Sequence, residues 1–485
     1  MSTALKSEPQ PHLIRALGRR DLVLLFVVAV FNLNVVPSIA ANGGVTVWLW
    51  IFSIVLFFFP QGIAVIELAH RYPGEGGVYL WAKEVFGDFH GFLSGWCYWT
   101  NNFFYVPTVL LYFVGVSVFI AGPRHQNLAE NRIFTITVFM ALTALLVFLN
   151  IRGLGVGKWI NNVGGIGTFI AAGVLIGLGV LVAFRYGTPL RASDFQIPSD
   201  YGSVLNAFGT ICFGLIGLEL ASVMGDEIKD PIKTLPGAVA LGGLLSGALY
   251  VGSTLVVLAS VGKHDISALQ GIVQAIAHLS GQLGVSWIVP LFALILAFSI
   301  AGIASAWLGG VARIPFVAGL DSYLPAWLGK IHPRYATPYA ALMAHAGISI
   351  ALTVVFAAFA DRIKEVFQVL LGAAVVLNLI PFLYVFGALL KLSAKGSFQR
   401  GVYGRAILIP VGAVGFLMTS LGIILELVFM PDGFGSRMRW DLEVFGTTVL
   451  FVALAFFFFF VYGRRKSLRP VAIETAALPM SEARR

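Results

Sequence analysis

The sequence predicts an all-α integral membrane protein with twelve transmembrane helices. Three observations carry that prediction. Of its 485 residues, 58% are hydrophobic and only 11% are charged, whereas a soluble chain carries about 25% charged residues to cover its surface. Apolar stretches of the length needed to cross a bilayer, roughly 20 residues, recur along the whole chain. Those stretches hold Gly, Pro and Phe in quantity and show no period-2 alternation, which excludes a membrane β-barrel. Cys97 and Cys212 stand far apart with no CxxC pairing, so neither a disulfide scaffold nor a cysteine zinc site is expected.

In order, the expected spans are 22–42, 45–69, 89–121, 132–150, 159–184, 203–226, 237–261, 285–316, 338–359, 363–392, 404–430 and 441–463. Residues 1–21 and 464–485 form polar tails, and the basic group Arg464, Arg465, Lys466 and Arg469 follows the last span. Positive charge collects on the cytoplasmic side of membrane proteins. Both tails are therefore expected inside, in a multi-pass protein of the plasma (inner) membrane. The formal net charge of +9 is then a topology signal, not a nucleic-acid footprint. Sorting the carboxylates in the same way leaves Glu67, Glu219 and Glu426 at membrane depth, where an ionisable group is costly and marks a functional candidate.

Two spans contain more than an anchor needs. In the first, Asn32-Leu33-Asn34-Val35-Val36-Pro37-Ser38 lies halfway across. Pro37 lacks an amide hydrogen and clashes with the preceding turn, so the helix is expected to open near Leu33, with the asparagines and Ser38 competing for the freed backbone groups. In the sixth, Phe213-Gly214-Leu215-Ile216-Gly217-Leu218-Glu219 places two glycines and a carboxylate at the corresponding depth. Each Gly costs about 1 kcal/mol against Ala in a helix interior. Opened backbone survives at that depth only where it lines a cavity or is buried in protein. Interrupted helices at matching positions of two halves point to a binding site built on inverted repeats. The expected organisation is a ten-helix core, 22–392, made of a first repeat (22–184) and an inverted second repeat (203–392), with two further helices in 404–463. Gly173/Gly177 and Gly243/Gly247 are read as close-packing positions.

Three blocks of sequence then resemble the amino acid–polyamine–organocation permeases, which have the LeuT-type fold. Glu67-Leu68-Ala69 with Tyr72-Pro73-Gly74-Glu75-Gly76-Gly77-Val78-Tyr79 is similar to the loop after that family's second helix. Gly217-Leu218-Glu219, Asp226-Glu227-Ile228-Lys229-Asp230-Pro231 and Lys233-Thr234-Leu235-Pro236 are similar to the end of its sixth. Asp321-Ser322-Tyr323-Leu324-Pro325 and His332-Pro333-Arg334 are similar to the loop after its eighth. The resemblance runs from about Asp21 to Pro338. It implies a secondary transporter of amino acids or related amines, working by alternating access through exchange or through coupling to a cation or proton. Polyamine uptake is the alternative substrate class, and a solute sensor that does not transport is the alternative of another kind. Substrate contacts are implied at Asn32, Asn34, Val35, Pro37, Ser38, Phe213, Gly214, Leu215 and Gly217. A carboxylate would lie near Val35–Ser38, and an ammonium near the carbonyls of Phe213–Leu215. Glu219 and Ser305 are candidates for proton or cation coupling, and Phe213 for an aromatic gate. Two positions depart from the family pattern: Asn32-Leu33-Asn34 replaces the usual Gly-x-Gly, and Thr168 stands where some members carry a lysine.

An enzyme is not expected. Gly153-Leu154-Gly155-Val156-Gly157-Lys158 lacks the spacing of a phosphate loop and is followed by Trp159 instead of Ser or Thr. No cofactor, metal or nucleic acid is implied; the expected partners are a small molecule and the lipid bilayer. Glu67, one turn before Arg71, reads as a structural ion pair, and His345 as a packed histidine.

Overall fold

The computed structural model describes residues 19–72, 76–152, 154–199, 201–219, 231–312, 323–335, 337–394 and 401–463. Both expected tails lie mostly outside these residues, as do 220–230, 313–322 and Pro73–Glu75 of the family-like loops. In chain order the helices are α1 (Arg19–Val30), α2 (Val36–Ala40, entered through a tight 3-10 turn at Leu33–Val35), α3 (Val45–Arg71), α4 (Gly77–Phe86), α5 (Asp88–Ala121), α6 (Arg132–Arg152), α7 (Leu154–Tyr186), α8 (Gly202–Gly214), α9 (Pro231–Val261), α10 (Gly271–Gln282), α11 (Ile288–Val311), α12 (Tyr339–Phe359), α13 (Ile363–Ala394), α14 (Arg405–Val428) and α15 (Arg437–Gly463). No strand occurs among the described residues.

Ten of these helices are long and apolar enough to cross a membrane: α3, α5, α6, α7, α9 and α11 to α15. The two remaining stretches expected from the sequence, 22–42 and 203–226, are the two that are not continuous helices. The first is divided at Phe31 and Asn32, and the second is helical only through Gly214 among its described residues. Large apolar side chains such as Ile133, Phe184, Phe298 and Leu442 stand exposed around the bundle. Such a surface suits hydrocarbon and would be an association liability in water.

Burial sorts the helices into layers. The most apolar stretches of α5 and α13 are 83% buried, against 33% for α14 and 22% for α15. Helices α5 and α13 are therefore the interior posts, and the last two lie on the flank, with α14 packed on α13 and α8. Local chemistry explains the irregular turns. In α3 a π-turn at Ile54–Phe58 precedes Pro60, and the wider turn takes up the clash of the proline ring with the carbonyl four residues back. Gly243 faces the Phe58 ring and Gly247 the Ile54 side chain, so this pair does permit close packing of α9 on α3. Gly173 and Gly177 do not: nothing lies within 4 Å of a Cβ built on either. The close approach of α7 to α11 is made about two and a half turns before Gly173, where a Cβ on Gly164 would sit 2.9 Å from the Cα of Gly302.

Candidate functional site

Helix α1 ends at Val30, and its last carbonyls need partners from elsewhere. Asn32 is extended, at φ −121° and ψ 107°, and the chain turns helical again at Leu33. The opening therefore falls at Phe31–Asn32, directly before Leu33, near which it is expected. Pro37 does not cause it. It occupies the first turn of α2, where proline is well tolerated. Its ring instead packs on Gly271 of α10, where a Cβ would come within 2.8 Å of the Pro37 Cβ. Ser38 donates to the Val35 carbonyl at 2.9 Å. The Asn32 side chain bends back to the Val30 carbonyl at 3.3 Å.

The opening in the sixth crossing falls where the sequence places it. Helix α8 stops at Gly214, and Leu215 to Glu219 are not helical. Gly217 has φ +146°, and a Cβ there would lie 3.0 Å from the backbone carbonyl carbon and oxygen of Ala29. Conformation and space both require glycine at this point. Gly214 is less constrained, with its nearest prospective contacts at 3.4–3.5 Å. Glu219 is 3% exposed. Its Oε2 accepts from the Gly217 amide at 3.0 Å, and its Oε1 accepts from the Tyr98 hydroxyl of α5 at 3.0 Å. The carboxylate thus caps a backbone amide freed by the break and ties the break to α5.

One residue joins the two openings. The Tyr250 hydroxyl of α9 accepts from the Asn32 amide at 3.0 Å and lies 2.7 Å from the Val30 carbonyl and 2.9 Å from the Gly214 carbonyl. Its single hydrogen serves one of these carbonyls at a time. The ring is stacked on Trp50, with centroids 4.0 Å apart and planes 14° apart, and is met edge-on by Phe31 at 4.9 Å. Trp50 is itself fixed by a bond from its Nε1 to Thr254 at 3.2 Å.

Beside this junction the polar inventory is incomplete. Asn34, 4% exposed, faces the Tyr105 hydroxyl, yet neither Asn34 Nδ2 nor Tyr105 Oη completes a hydrogen bond. Tyr105 stands edge-on to Phe213 at 5.2 Å and to Trp307 of α11 at 5.6 Å. The result is a small aromatic enclosure with an amide and a phenol left unsatisfied inside it. Such groups are costly in a membrane interior unless something completes them.

The site residues read from sequence therefore divide. Asn32, Asn34, Val35, Phe213, Gly214, Leu215 and Gly217 gather at the two openings, with Glu219 just beyond. Pro37 and Ser38 belong to the short helix α2 beside them. Ser305 lies elsewhere, accepting at 3.0 Å from Asn150 of α6. Thr168 is paired with Ser299 at 2.6 Å and with the Gly164 carbonyl at 3.0 Å. Glu67 pairs with Arg71 at 2.5 Å and accepts from the Val402 and Tyr403 amides, both at 2.9 Å, a structural clamp on the segment before α14. His345 is buried against the Phe103 ring at 5.0 Å. Tyr98, Tyr105, Tyr250 and Trp307 are the contributors that sequence reading passed over. A signal existed for the first two: Tyr98, Tyr105 and Tyr112 recur every seven residues, two helical turns, so they share one face.

A helical membrane bundle whose two interrupted crossings meet at a buried, incompletely satisfied polar site is the architecture of a solute transporter. Comparison with known proteins gives the family. Residues 17–469 match the model of the amino acid permease family, and the chain belongs to that family: it is a transporter, not an enzyme. An uncharacterized transporter of Legionella pneumophila is 29% identical over 430 residues, 87% of this chain and 90% of its own. A probable agmatine/putrescine antiporter of Lactococcus lactis, AguD, is 25% identical over 376 residues, 76% of this chain and 78% of its own. A branched-chain amino acid permease of Bacillus subtilis, BcaP, is 25% identical over 344 residues, 67% of this chain and 72% of its own.

Proposed function

We propose that the protein carries amino acids across the plasma membrane by alternating access, with both termini in the cytoplasm and the substrate held between the two helix openings. The observation that supports this most is the unsatisfied pair Asn34 Nδ2 and Tyr105 Oη beside the start of the helical segment at Leu33. The Leu33 and Asn34 amides that begin that segment have no acceptor one turn back, while the Val35 amide donates to the Asn32 carbonyl at 3.4 Å, and the helix dipole adds positive potential at the same point. Together with Asn34 Nδ2 they make a set of donors suited to a carboxylate. This moves the carboxylate from Val35–Ser38, the position expected from sequence, to Leu33–Val35. The carbonyl end of α8 at Phe213–Leu215 suits the ammonium group, and Phe213 and Trp307 favour an apolar side chain.

Amines without a carboxylate are the second reading, favoured by one observation: Glu219 is the carboxylate nearest to the openings among the described residues. Its two oxygens already accept from Gly217 and Tyr98, so an amine would have to displace one of them. Exchange and cation coupling both fit this geometry. In either case, release toward the Glu219 side requires the Tyr98–Glu219 bond to part, because it bridges the third crossing to the sixth.

Uptake into proteoliposomes, with and without internal substrate, tests the reading. Neutral amino acids are expected to accumulate and to compete with one another, while agmatine and putrescine compete weakly. Saturable binding with no uptake in either direction would turn the reading toward a sensor.

A further inference from the structure

A second buried carboxylate lies outside the site just described. Glu426, near the end of α14, is 2% exposed, and its Oε2 has no hydrogen-bond partner. Two glycines admit it. A Cβ on Gly209 of α8 would fall 2.6 Å from Oε2, and one on Gly372 of α13 would fall 3.1 Å from Oε1. The carboxylate is thus seated between a half-helix of the interrupted crossing and an interior post.

Glu426 lines a cavity with Asn42, Thr210 and Gln368, and its neighbours there are short of donors. Asn42 Oδ1 and Gln368 Oε1 are also buried without partners. Their orientations are fixed by the other end of each amide: Asn42 Nδ2 donates to the Ser38 and Ile39 carbonyls at 3.0 and 3.2 Å, and Gln368 Nε2 donates to the Asp432 carbonyl at 3.2 Å. Two nearby donors are used on backbone. Asn206 bonds the Glu426 and Phe429 carbonyls at 3.5 and 3.0 Å, and Trp440 Nε1 bonds the Glu426 carbonyl at 3.3 Å. Three oxygen acceptors without a hydrogen-bond partner, Glu426 Oε2, Asn42 Oδ1 and Gln368 Oε1, therefore belong to residues lining one cavity.

The surrounding charges do not fill this need. Lys364 also lines the cavity but makes no ion pair with Glu426, and a Cβ on Gly433 would lie 3.1 Å from its Nζ. Arg439 is held by Glu365 at 2.9 Å and Glu443 at 3.3 Å, with Asp361 at 3.8 Å. Asp432 also lines the cavity, but it is an exposed residue and meets Gln368 through its backbone carbonyl. The cavity offers about 40 Å³ to water-sized groups, and one water needs roughly 10–15 Å³ on this measure. A small ion with a water or two fits.

We infer that Glu426, Gln368 and Asn42 form a site for a small monovalent cation of the sodium type. Oxygen ligands select a hard cation. A single fully buried carboxylate is neutralised by one positive charge, whereas a divalent ion would leave excess charge in a low-dielectric interior. The site draws its residues from α13 and α14 and from the chain just after α2, and it is walled by α8. Occupancy would therefore hold the two half-helices against the flank. That consequence, a role in driving transport, rests on the transport reading above; the binding itself does not.

The test is binding of radiolabelled sodium to the purified full-length protein in nanodiscs, with unlabelled sodium, potassium and choline as competitors. Saturable binding is expected, displaced by sodium and not by choline, and weakened at acid pH as protons compete for the carboxylate. Glu426→Gln should weaken it by about tenfold or more, since it removes the one buried charge that the ion neutralises. Gln368→Leu should weaken it less, and provides the reading if Glu426→Gln does not yield a monodisperse protein. No saturable sodium binding, or binding unchanged in both variants, overturns the inference; so does proton release that depends on Glu426 without any sodium binding. A protein that transports amino acids but binds no sodium overturns this site alone and leaves the transport reading standing.

Discussion

Replacing Tyr250 with Phe removes one oxygen from the centre of the molecule and nothing else. The ring keeps its stack on Trp50 and its edge contact with Phe31, so the aromatic packing survives. What disappears is the acceptor for the Asn32 amide and the donor shared by the Val30 and Gly214 carbonyls. The Val30 carbonyl keeps its bond from the Asn32 side chain at 3.3 Å, so the two buried backbone groups left without a partner are the Asn32 amide and the Gly214 carbonyl. Each orphaned group costs about 1–3 kcal/mol, giving roughly 2–6 kcal/mol against the geometry in which both crossings stand open and joined. Every 1.4 kcal/mol is about tenfold in an equilibrium constant. If half of the smaller figure is expressed at the site, affinity falls by about fivefold, and if all of it is, by about thirtyfold. The assay is equilibrium binding of a transported amino acid to the purified variant, beside a thermal unfolding curve that reports on the fold. Weakened binding with a cooperative unfolding transition is expected. Unchanged affinity and unchanged transport would refute the idea that this hydroxyl holds the two openings together.

Four further outcomes follow from the same geometry. Gly217→Ala should lower both stability and affinity, because a residue at φ +146° must also meet the Ala29 backbone at 3.0 Å; Gly214→Ala, with contacts at 3.4–3.5 Å, should be tolerated, and thermal unfolding of the pair checks the contrast. Pro37→Ala should leave affinity nearly unchanged, since the helix opens at Phe31–Asn32 without help from the proline; a large loss in binding would return the cause of the break to Pro37. Glu219→Gln keeps an acceptor for the Gly217 amide and a partner for Tyr98, so a capping role predicts near-normal transport, while a coupling role predicts preserved exchange with lost dependence on a proton or cation gradient. For topology, a cysteine at Lys263 should be labelled from outside intact cells and one at Lys330 should not.

The long spans were legible because twenty apolar residues in a row have few other uses. Their described helices begin and end within a few residues of the expected limits, as at Val45–Arg71 and Arg132–Arg152. The break in the sixth crossing was legible because Gly214 and Gly217 have a local cost that only an opening explains. The first opening lies next to Leu33, near its expected place, but what holds it open was not legible. Proline is the visible breaker in a sequence, but Pro37 sits where proline is well tolerated, and the opening is held from a distance by Tyr250, 218 residues from Asn32. Long-range partners of this kind leave no local trace. The same limit hid Trp307, one aromatic residue among many until the fold brings it to Tyr105. Gly173 and Gly177 fail conversely: their spacing is that of a packing motif, yet they are exposed and face nothing.

On the proposed function, a substrate carboxylate binds at Leu33–Val35 beside Asn34. The most direct measurement is competition, in proteoliposomes loaded with the same substrate, between a labelled neutral amino acid and three analogues: the unlabelled acid, its methyl ester and the amine left by removing its carboxylate. The acid is expected to compete fully, the ester and the amine at least about tenfold more weakly for want of the charge-assisted bonds, and Asn34→Leu is expected to remove much of this difference. An amine that competes as well as the acid, with no change in Asn34→Leu, would contradict it.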